Sequence, residues 1–331
     1  MSSPGKRKLN FALAINEALT QMLESDESVM LIGQGVKSPW YVGNTCKNLI
    51  ERFGEKRVID TPVSENVTTG AAVGVAIAGM KAIVVHPRVD FAVYAFDPII
   101  NQAANWFFMS GGRSTVPVVF WLIVNRGGEQ AAQHSQSFHA FFSHVPGLKV
   151  VAPATAYDAK GLMIAAINDK NPVVFLDERW LYGVEDNVPE EIYEVPIGKG
   201  IVRREGTDVT LISFSWLLHQ SLKAAEQLAQ QGINAEVIDI RSLKPLDEEL
   251  IISSVKKTGR VVVVDGTWKF CGYSSEIISL IMENGGIDFL KATPLRVNLP
   301  DAPAPASESL EKVYYISTDT IVNSVKSLFS K

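Results

Sequence analysis

Four of the five histidines fall in the first half of this 331-residue chain, and histidine is both a common metal ligand and a common general base. Three of them, His134, His139 and His144, follow one another at intervals of five residues. On a helix, a step of five residues turns the side chain by about 140°, so these three cannot share a face as an i, i+4 zinc pair does. The spacing argues against a zinc site, so any functional role must be considered for each histidine separately.

The glycine-rich run at 70–79, GAAVGVAIAG, invites comparison with nucleotide-binding loops. Its glycines stand four and five residues apart, which is not the GxGxxG pattern, and the chain contains no Walker GK[ST] motif. The chain also lacks the GxSxG elbow of serine hydrolases. We therefore interpret the run as a helix whose small side chains let another element approach closely.

These residues lie within an alternation of strands and helices. Apolar runs predict strands at 29–32, 58–60, 82–85, 116–124 and 173–176, and helical spacing predicts helices at 12–23, 67–80, 94–108 and 157–168. A second alternation predicts strands at 209–213, 235–240 and 260–264 and helices at 217–230, 248–257, 273–282 and 320–329. The pattern is typical of parallel sheets covered by helices on both faces. A charged, proline-containing segment separates the two series, so we predict two α/β domains, at 1–190 and 205–331, joined by a linker at 191–204.

The composition excludes several classes of protein. The chain is 47% hydrophobic and 20% charged, with a net charge of -5, which is ordinary for a globular protein. The absence of a basic block argues against nucleic acid or an anionic membrane as a partner. The longest apolar run, at 116–124, is too short to span a bilayer, and no apolar segment of a signal peptide follows the first residues. Two widely separated cysteines without a CxxC pair leave one disulfide open, but they favour two buried thiols in a reducing compartment, and so a cytoplasmic protein.

The most specific signal is a series of short blocks. In chain order these are DTPVSE at 60–65, DF at 90–91, MSGG at 109–112, AAQHSQ at 131–136, PGLKVVAP at 146–153, DAKG at 158–161 and NPVV at 171–174. In this order and at this spacing they resemble the β subunit of thiamine diphosphate-dependent 2-oxo acid dehydrogenases, within the transketolase-like group. The resemblance covers nearly the whole chain. It implies a pyrimidine-binding domain followed by a domain like the transketolase C-terminal domain.

The resemblance also implies roles for three residues. Glu65 matches the glutamate that hydrogen-bonds the cofactor's aminopyrimidine and stabilises the imino tautomer, which then takes the C2 proton. A carboxyl in an apolar pocket suits this task because its raised pKa lets it share a proton, and Glu65 follows a predicted strand, where ligands of parallel sheets bind. Phe91 matches the aromatic residue that stacks on the aminopyrimidine. His134 matches the active-site histidine near the substrate or the incoming acyl acceptor.

The resemblance implies metal ions and partners as well. Related β subunits hold a potassium ion, mostly through backbone carbonyls, at positions matching Val118, Ala166, Ile167, Asp169 and Asn171. The family binds the cofactor's diphosphate through Mg²⁺ with a GDG motif followed by an asparagine, and this chain lacks that motif. An α subunit is therefore expected to supply the diphosphate and Mg²⁺ half of the site in an α2β2 heterotetramer, with the helix at 70–79 as a subunit contact. A lipoyl acyltransferase is the further partner that a dehydrogenase complex would add.

Two places depart from the family pattern. Gln34 stands where these β subunits usually carry an acidic residue implicated in proton traffic between paired active sites, which puts that traffic in doubt. His86-Pro87-Arg88 replaces a stretch that usually reads acidic and then aromatic or Gln. On a strand, His86 and Arg88 would share one face, and beside the pocket they could bind an anionic or hydroxylated substrate such as a sugar phosphate. Pairing of Arg88 with a carboxylate of the partner subunit fits the sequence equally well.

Three functions stay open at this point. The first, and our main prediction, is a 2-oxo acid dehydrogenase β subunit that passes an acyl group to a lipoyl carrier. The second is the β component of a two-subunit transketolase-like enzyme that transfers a two-carbon or acyl unit to a sugar, an aldehyde or a carrier thiol. The third is a non-catalytic scaffold subunit, against which the presence of Glu65 and His134 argues.

Overall fold

The computed structural model describes residues 7–38 and 40–329, and their contacts divide the chain into two compact units. The first contains the chain up to Arg126 together with Phe141–Ile197. The second contains Gly127–Ala140 and the chain from Gly198 onward. The segment 127–140, which carries His134, therefore packs with the second unit although it lies within the first predicted domain in sequence.

The first unit alternates short strands and helices. Its strands are β1 (Lys8–Asn10), β2 (Val29–Gln34), β3 (Val58–Thr61), β4 (Lys81–His86), β5 (Val118–Val124), β6 (Lys149–Val151), β7 (Val173–Glu178) and β8 (Glu185–Asn187). Its helices are α1 (Phe11–Ser25), α2 (Leu49–Phe53), α3 (Glu65–Ile77), α4 (Ala104–Met109), α5 (His139–His144, which begins in the segment 127–140) and α6 (Ala156–Asn168). The predicted strands and most of the predicted helices are therefore confirmed to within a few residues.

Six strands of this unit pair in parallel in the order β6-β7-β5-β4-β2-β3. All seven residues of β5 are buried, as expected for an inner strand of a sheet covered on both faces. Because the strands are parallel, β2, β4, β5 and β7 all end at one edge of the sheet. The loops that leave this edge carry the candidate site residues of the first unit, which is where ligands of open α/β sheets bind.

A fully buried lysine links the C-terminal segment of this unit to its first helix, α1. The ammonium group of Lys160, on α6, forms an ion pair with Glu17 of α1 at 2.7 Å. It also donates to the carbonyls of Pro189, Glu190 and Glu191 at 2.7 to 3.1 Å. Its three donors thus have four acceptors, so a charge that would be costly to bury alone is fully compensated.

The predicted helix at 94–108 differs from the structure. The chain instead forms a 3₁₀ turn at Val89–Ala95, a π-helical turn at Asp97–Ala103 and then the short helix α4. Pro98 stands at the start of the π-helical turn, and proline has no N–H for a regular helical ladder. Irregular helical turns of this kind are frequent near functional sites, and this one follows Phe91 closely.

The second unit has its own mixed sheet. Its strands are β9 (Ile201–Arg204), β10 (Val209–Ser213), β11 (Ala235–Asp239), β12 (Ser242–Lys244), β13 (Val261–Trp268) and β14 (Leu295–Leu299). Its helices are α7 (Trp216–Ala229), α8 (Glu248–Thr258), α9 (Tyr273–Glu283), α10 (Gly286–Phe289), α11 (Glu308–Tyr314) and α12 (Thr318–Ser327). Five strands pair in the order β14-β13-β10-β11-β9, with only β9 antiparallel to its neighbour. The edge strand β9 lies in the segment 191–204 that the sequence suggested as a linker.

The two cysteines differ in environment. Cys46 is buried, and burial raises the pKa of its thiol to about 12. Cys271 is exposed, in the turn before α9, so the expectation of two buried thiols is wrong for this residue. Both are free, and within residues 7–38 and 40–329 no helix is long and apolar enough to cross a bilayer.

Candidate active site

Glu65 is the first residue of α3, four residues after the end of β3. A carboxylate at this position is favoured by the helix dipole. The side chain is partly exposed, and among the described residues it has no hydrogen-bond or ion-pair partner. The structure therefore leaves this carboxyl group available to an external ligand.

His86, the last residue of β4, is buried and faces α3. Its Nε2 lies 2.9 Å from the hydroxyl of Thr69, one turn beyond Glu65 on the same helix face. Burial lowers the pKa of His86 to about 4, so the ring is neutral near pH 7. Because β4 ends at His86, strand alternation does not continue to Arg88, and the two residues do not share a strand face as the sequence suggested.

Phe91 lies in the 3₁₀ turn Val89–Ala95, which packs against α3. Its backbone N–H donates to the carbonyl of Arg88 at 3.3 Å, and its ring is partly exposed. Asp90 beside it is buried. Glu65 and Phe91 are thus carried by two adjacent elements of one unit, while Arg88 opens the turn that positions Phe91.

Gln34, at the end of β2, is bound to the loop that follows it. Its amide donates to the Tyr41 hydroxyl at 2.6 Å. Between them Gly35 has a φ of +76°, and a Cβ at this position would collide with the Tyr41 ring. The turn therefore requires glycine at 35, and it brings Tyr41 to the end of β2.

His134 belongs to the second unit, in the segment 127–140. The N–H of Gly127 donates to the Tyr315 hydroxyl at 3.1 Å, and the N–H of Glu129 donates to a carboxylate oxygen of Glu311 at 3.0 Å. Glu129 and Ala131 have φ values of 60° and 61°, a backbone region costly for residues with a Cβ. Such strain often marks functional loops, and this one presents His134, partly exposed, at the end of a 3₁₀ turn.

A cavity of about 380 Å³ adjoins this turn within the second unit. Ala132 and Gln133, directly before His134, line it together with Trp268 and Asp301. The Trp268 indole N–H is held by the carbonyl of Ala302 at 3.0 Å, so the ring has a defined orientation. The size suits a small ligand or a slender side arm. Sequence reasoning did not single out Trp268 or Asp301, since neither lies in a recognisable block.

The five positions matched to a potassium site all lie in the first unit, at the start of β5, in the last turn of α6 and between α6 and β7. The carbonyl of Ala166 accepts from the N–H of Asp169 at 3.3 Å, and Asp169 accepts from the N–H of Asn171 at 2.9 Å and pairs with Lys149. The amide oxygen of Asn171 is buried, and no described residue forms a hydrogen bond with it. A buried acceptor normally has a partner, so this one fits a cation held by neutral oxygens. No group of three or more His, Cys, Asp or Glu residues in the described part of the chain could hold a metal ion.

Each of the two units contains a match to a domain family. Residues 7–184 match the pyrimidine-binding domain of transketolase, and residues 198–321 match the transketolase C-terminal domain. A solved structure described as a split-gene transketolase, an inactive β4 tetramer, superposes with a TM-score of 0.79 over 97% of this chain and 98% of that chain. At 22% identity, this likeness shows the fold alone.

Curated relatives match over almost their whole length. The pyruvate dehydrogenase E1 component subunit beta of Rickettsia felis is 43% identical over 313 residues, covering 95% of this chain and 96% of the relative. The beta subunit of acetoin:2,6-dichlorophenolindophenol oxidoreductase is 41% identical in Cupriavidus necator and 39% identical in Bacillus subtilis. These two alignments cover 95% and 96% of this chain and 96% of each relative.

Proposed function

Because the chain belongs to the transketolase-like family that includes the β subunits of pyruvate dehydrogenase E1 and acetoin oxidoreductase, we propose that it is the β subunit of a thiamine diphosphate-dependent 2-oxo acid dehydrogenase. The observation that carries the proposal is the position of Glu65. Its partner-free carboxyl group begins a helix beside the Phe91 turn, in the domain that matches the pyrimidine-binding family. Relatives of about 40% identity over the full length favour this function over a two-component transketolase.

When bound, thiamine diphosphate supplies a thiazolium carbon that becomes nucleophilic on losing its proton. In our proposal Glu65 holds a proton at the pyrimidine ring nitrogen farthest from the amino group, and Phe91 stacks on the pyrimidine ring. His86 acts indirectly, since it is buried and hydrogen-bonded to Thr69 on the helix that Glu65 begins. Arg88 is the residue of this pair that we assign to the substrate.

His134 is assigned to the substrate or the acyl acceptor. It is partly exposed, it sits at the end of a strained loop, and its neighbours line a cavity. An imidazole in such a place can exchange protons with a reacting group or donate a hydrogen bond to it. Trp268 gives the cavity an apolar wall for the chain of an acyl carrier.

The proposal includes an α subunit that supplies the diphosphate and Mg²⁺ sites, in an α2β2 heterotetramer. The outward face of α3 supports such a contact, because added Cβ atoms at Gly70 and Gly74 would meet nothing within 4 Å in this chain. The proposal also includes a potassium ion, held between Val118, the end of α6 and Asn171. The acyl acceptor in this proposal is a lipoyl acyltransferase, and the compartment is the cytoplasm.

Co-expression with an α subunit encoded beside this chain tests the function. With thiamine diphosphate and Mg²⁺, the complex should release CO₂ from a 2-oxo acid and reduce dichlorophenolindophenol. One molecule of the dye should be reduced for each molecule of CO₂ released. The control is the complex carrying Glu65→Gln. Transfer of a two-carbon unit from a ketose to an aldose, without CO₂ release, would replace the proposal with the transketolase function.

A further inference from the structure

Two arginines lie at the same edge of the first unit's sheet. Arg88 follows β4 by two residues, and Arg179 directly follows β7. Both strands flank β5, so their ends lie about 10 Å apart at the usual spacing of strands. The Arg179 guanidinium donates to the carbonyl of Tyr41, in the loop after β2. Its side chain therefore reaches across the edge toward the loops on the far side of β4.

Each arginine has a donor without an acceptor. Nη1 of Arg88 and Nε of Arg179 are buried, and neither has a hydrogen-bond partner among residues 7–38 and 40–329. Buried donors are paired in the great majority of cases, and one left unpaired is costly. The pKa of Arg88 is lowered first by burial and next by the charge of Arg179, while Asp90 and Tyr41 act in the opposite direction. The two cations are thus close enough to repel each other.

The acidic residues near this edge do not cancel the charge. Glu178 pairs with Arg126 at 3.1 Å, and both are buried. Asp177 accepts from the Trp121 indole and the Tyr182 hydroxyl, each at 3.0 Å, and burial raises its pKa to about 7. Asp90 is the remaining carboxyl beside Arg88. Glu178 is therefore already paired with Arg126, and burial disfavours the charged form of Asp177.

We propose that Arg88 and Arg179 together bind an anionic group of the substrate, a carboxylate or a phosphate. The planar fork of each guanidinium matches the oxygens of either group. Both arginines are partly exposed and Tyr41 is 44% exposed, so solvent reaches this edge of the sheet next to the two buried donor atoms. The hydrogen bond from the Phe91 N–H to the Arg88 carbonyl places this site beside the proposed pyrimidine pocket. The inference rests on the proposed function and names the residues that hold the anionic group of its substrate.

Direct binding to the full-length chain tests the site without catalysis. The chain, labelled with ¹⁵N in its arginine side chains, is titrated with sodium phosphate and separately with sodium oxamate, a non-reactive 2-oxo carboxylate, at constant ionic strength. Saturable shifts of arginine Nε–H signals are expected with at least one anion. Phosphate binding identifies a phosphorylated substrate, and oxamate binding identifies the carboxylate of a 2-oxo acid.

Variants assign the binding to the two residues. Arg88→Gln and Arg179→Gln should each weaken the anion about ten- to a hundredfold, as expected for the loss of a charge-assisted hydrogen bond. Arg88→Lys keeps the charge and should bind the anion more tightly than Arg88→Gln. This difference would show that the weaker binding of Arg88→Gln comes from the lost charge and not from misfolding. Arg52→Gln is the matched control, because Arg52, on α2, forms an exposed ion pair with Glu24 of α1. It should leave the affinity unchanged.

Three results would overturn the inference: no saturable binding of either anion, an equal loss in Arg52→Gln, or weaker association of the α subunit with Arg88→Gln while anion binding is unchanged. The last result would assign Arg88 to a carboxylate of the partner. Exchange of the cofactor's C2 proton in the wild-type complex is measured separately and without substrate. Failure of that exchange would contradict the proposed function and leave the anion titration interpretable.

Discussion

The imidazole Nε2 of His86 lies 2.9 Å from the hydroxyl of Thr69, which joins the end of β4 to the helix that Glu65 begins. Both residues are buried, so the bond has no competition from water. The imidazole is neutral and can take either role in the bond, whereas an imidazolium could only donate. The position of the proposed cofactor-activating helix is thus linked to the protonation state of a histidine in the core.

This link predicts a specific dependence of stability on pH. The pKa of His86 falls from an ordinary value of 6.5 to about 4 in the folded chain, because burial disfavours the charged ring. The unfolded state therefore binds the proton more tightly, and the stabilisation present above pH 6.5 is lost as the pH falls toward 4. At about 1.4 kcal/mol per pKa unit, the loss amounts to a few kcal/mol. Urea denaturation at intervals between pH 7 and pH 4 measures it.

His86→Gln separates this contribution from those of other groups, since glutamine does not titrate. Asp177 acts oppositely, because its raised pKa removes stability as the pH rises from about 4 to 7. The quantity to compare is therefore the difference in unfolding free energy between wild type and His86→Gln. That difference should shrink as the pH falls from 6.5 to 4. A constant difference would show that His86 does not titrate in this range.

Lys160→Met should destabilise the first unit strongly. The substitution keeps much of the side-chain volume but removes the donor for Glu17 and for the carbonyls of Pro189, Glu190 and Glu191. Breaking a buried pair of this kind costs about 3–5 kcal/mol. The retained pair of Glu17 with Arg7, at 2.6 Å, places the expected loss at the lower end. Equilibrium unfolding in urea gives the value.

The control for this substitution is Lys312→Met. Lys312 forms an exposed pair with Glu308 on α11, and exposed pairs contribute about 0.2–1 kcal/mol. Limited proteolysis adds a local measurement, since the chain at 189–191 should be cleaved faster in Lys160→Met. Similar stabilities of the two variants would show that the buried ammonium contributes little.

Sequence patterns predicted the strands of the first unit well, because a run such as Val118–Val124 is buried along its whole length and must be apolar throughout. They did not predict that the segment 127–140 packs with the second unit. That packing depends on Tyr315 and Glu311, nearly two hundred residues away, and no local pattern records such contacts. The sequence patterns also did not reveal the unpaired donors of Arg88 and Arg179. Strand order, and not spacing along the chain, brings these two residues to the same edge of the sheet.

The isolated chain should not bind thiamine diphosphate tightly. Its pyrimidine-binding domain has no GDG motif followed by asparagine, so the diphosphate and Mg²⁺ would lack their ligands. Calorimetric titration with cofactor and Mg²⁺ is expected to show no micromolar site in the chain alone and a tight site after addition of the α subunit. Micromolar binding by the chain alone would contradict the division of the site between two subunits.

Glu65→Gln should slow activation of the cofactor in the assembled complex. The amide keeps the shape of the side chain but cannot share a proton with the pyrimidine nitrogen, and a general acid–base group contributes about 10²–10⁴-fold. Exchange of the C2 proton, followed by NMR after quenching in acid, measures the step directly. Glu51→Gln, an exposed change on α2, is the control and should exchange at the wild-type rate. An unchanged rate in Glu65→Gln would exclude Glu65 as the activating group.

Gln34 should leave the two cofactor sites of a heterotetramer independent of each other. Its amide donates to the Tyr41 hydroxyl at 2.6 Å, and an amide cannot take up and release protons near neutral pH as a carboxylate relay would. Both sites should therefore activate at one rate in pre-steady-state kinetics. Gln34→Glu restores an acidic group at the same place and should introduce unequal rates, while Tyr41→Phe, which removes only the hydrogen-bond partner, should keep them equal. Clear half-of-sites behaviour in the wild-type complex would show that communication between the sites does not need an acidic residue at position 34.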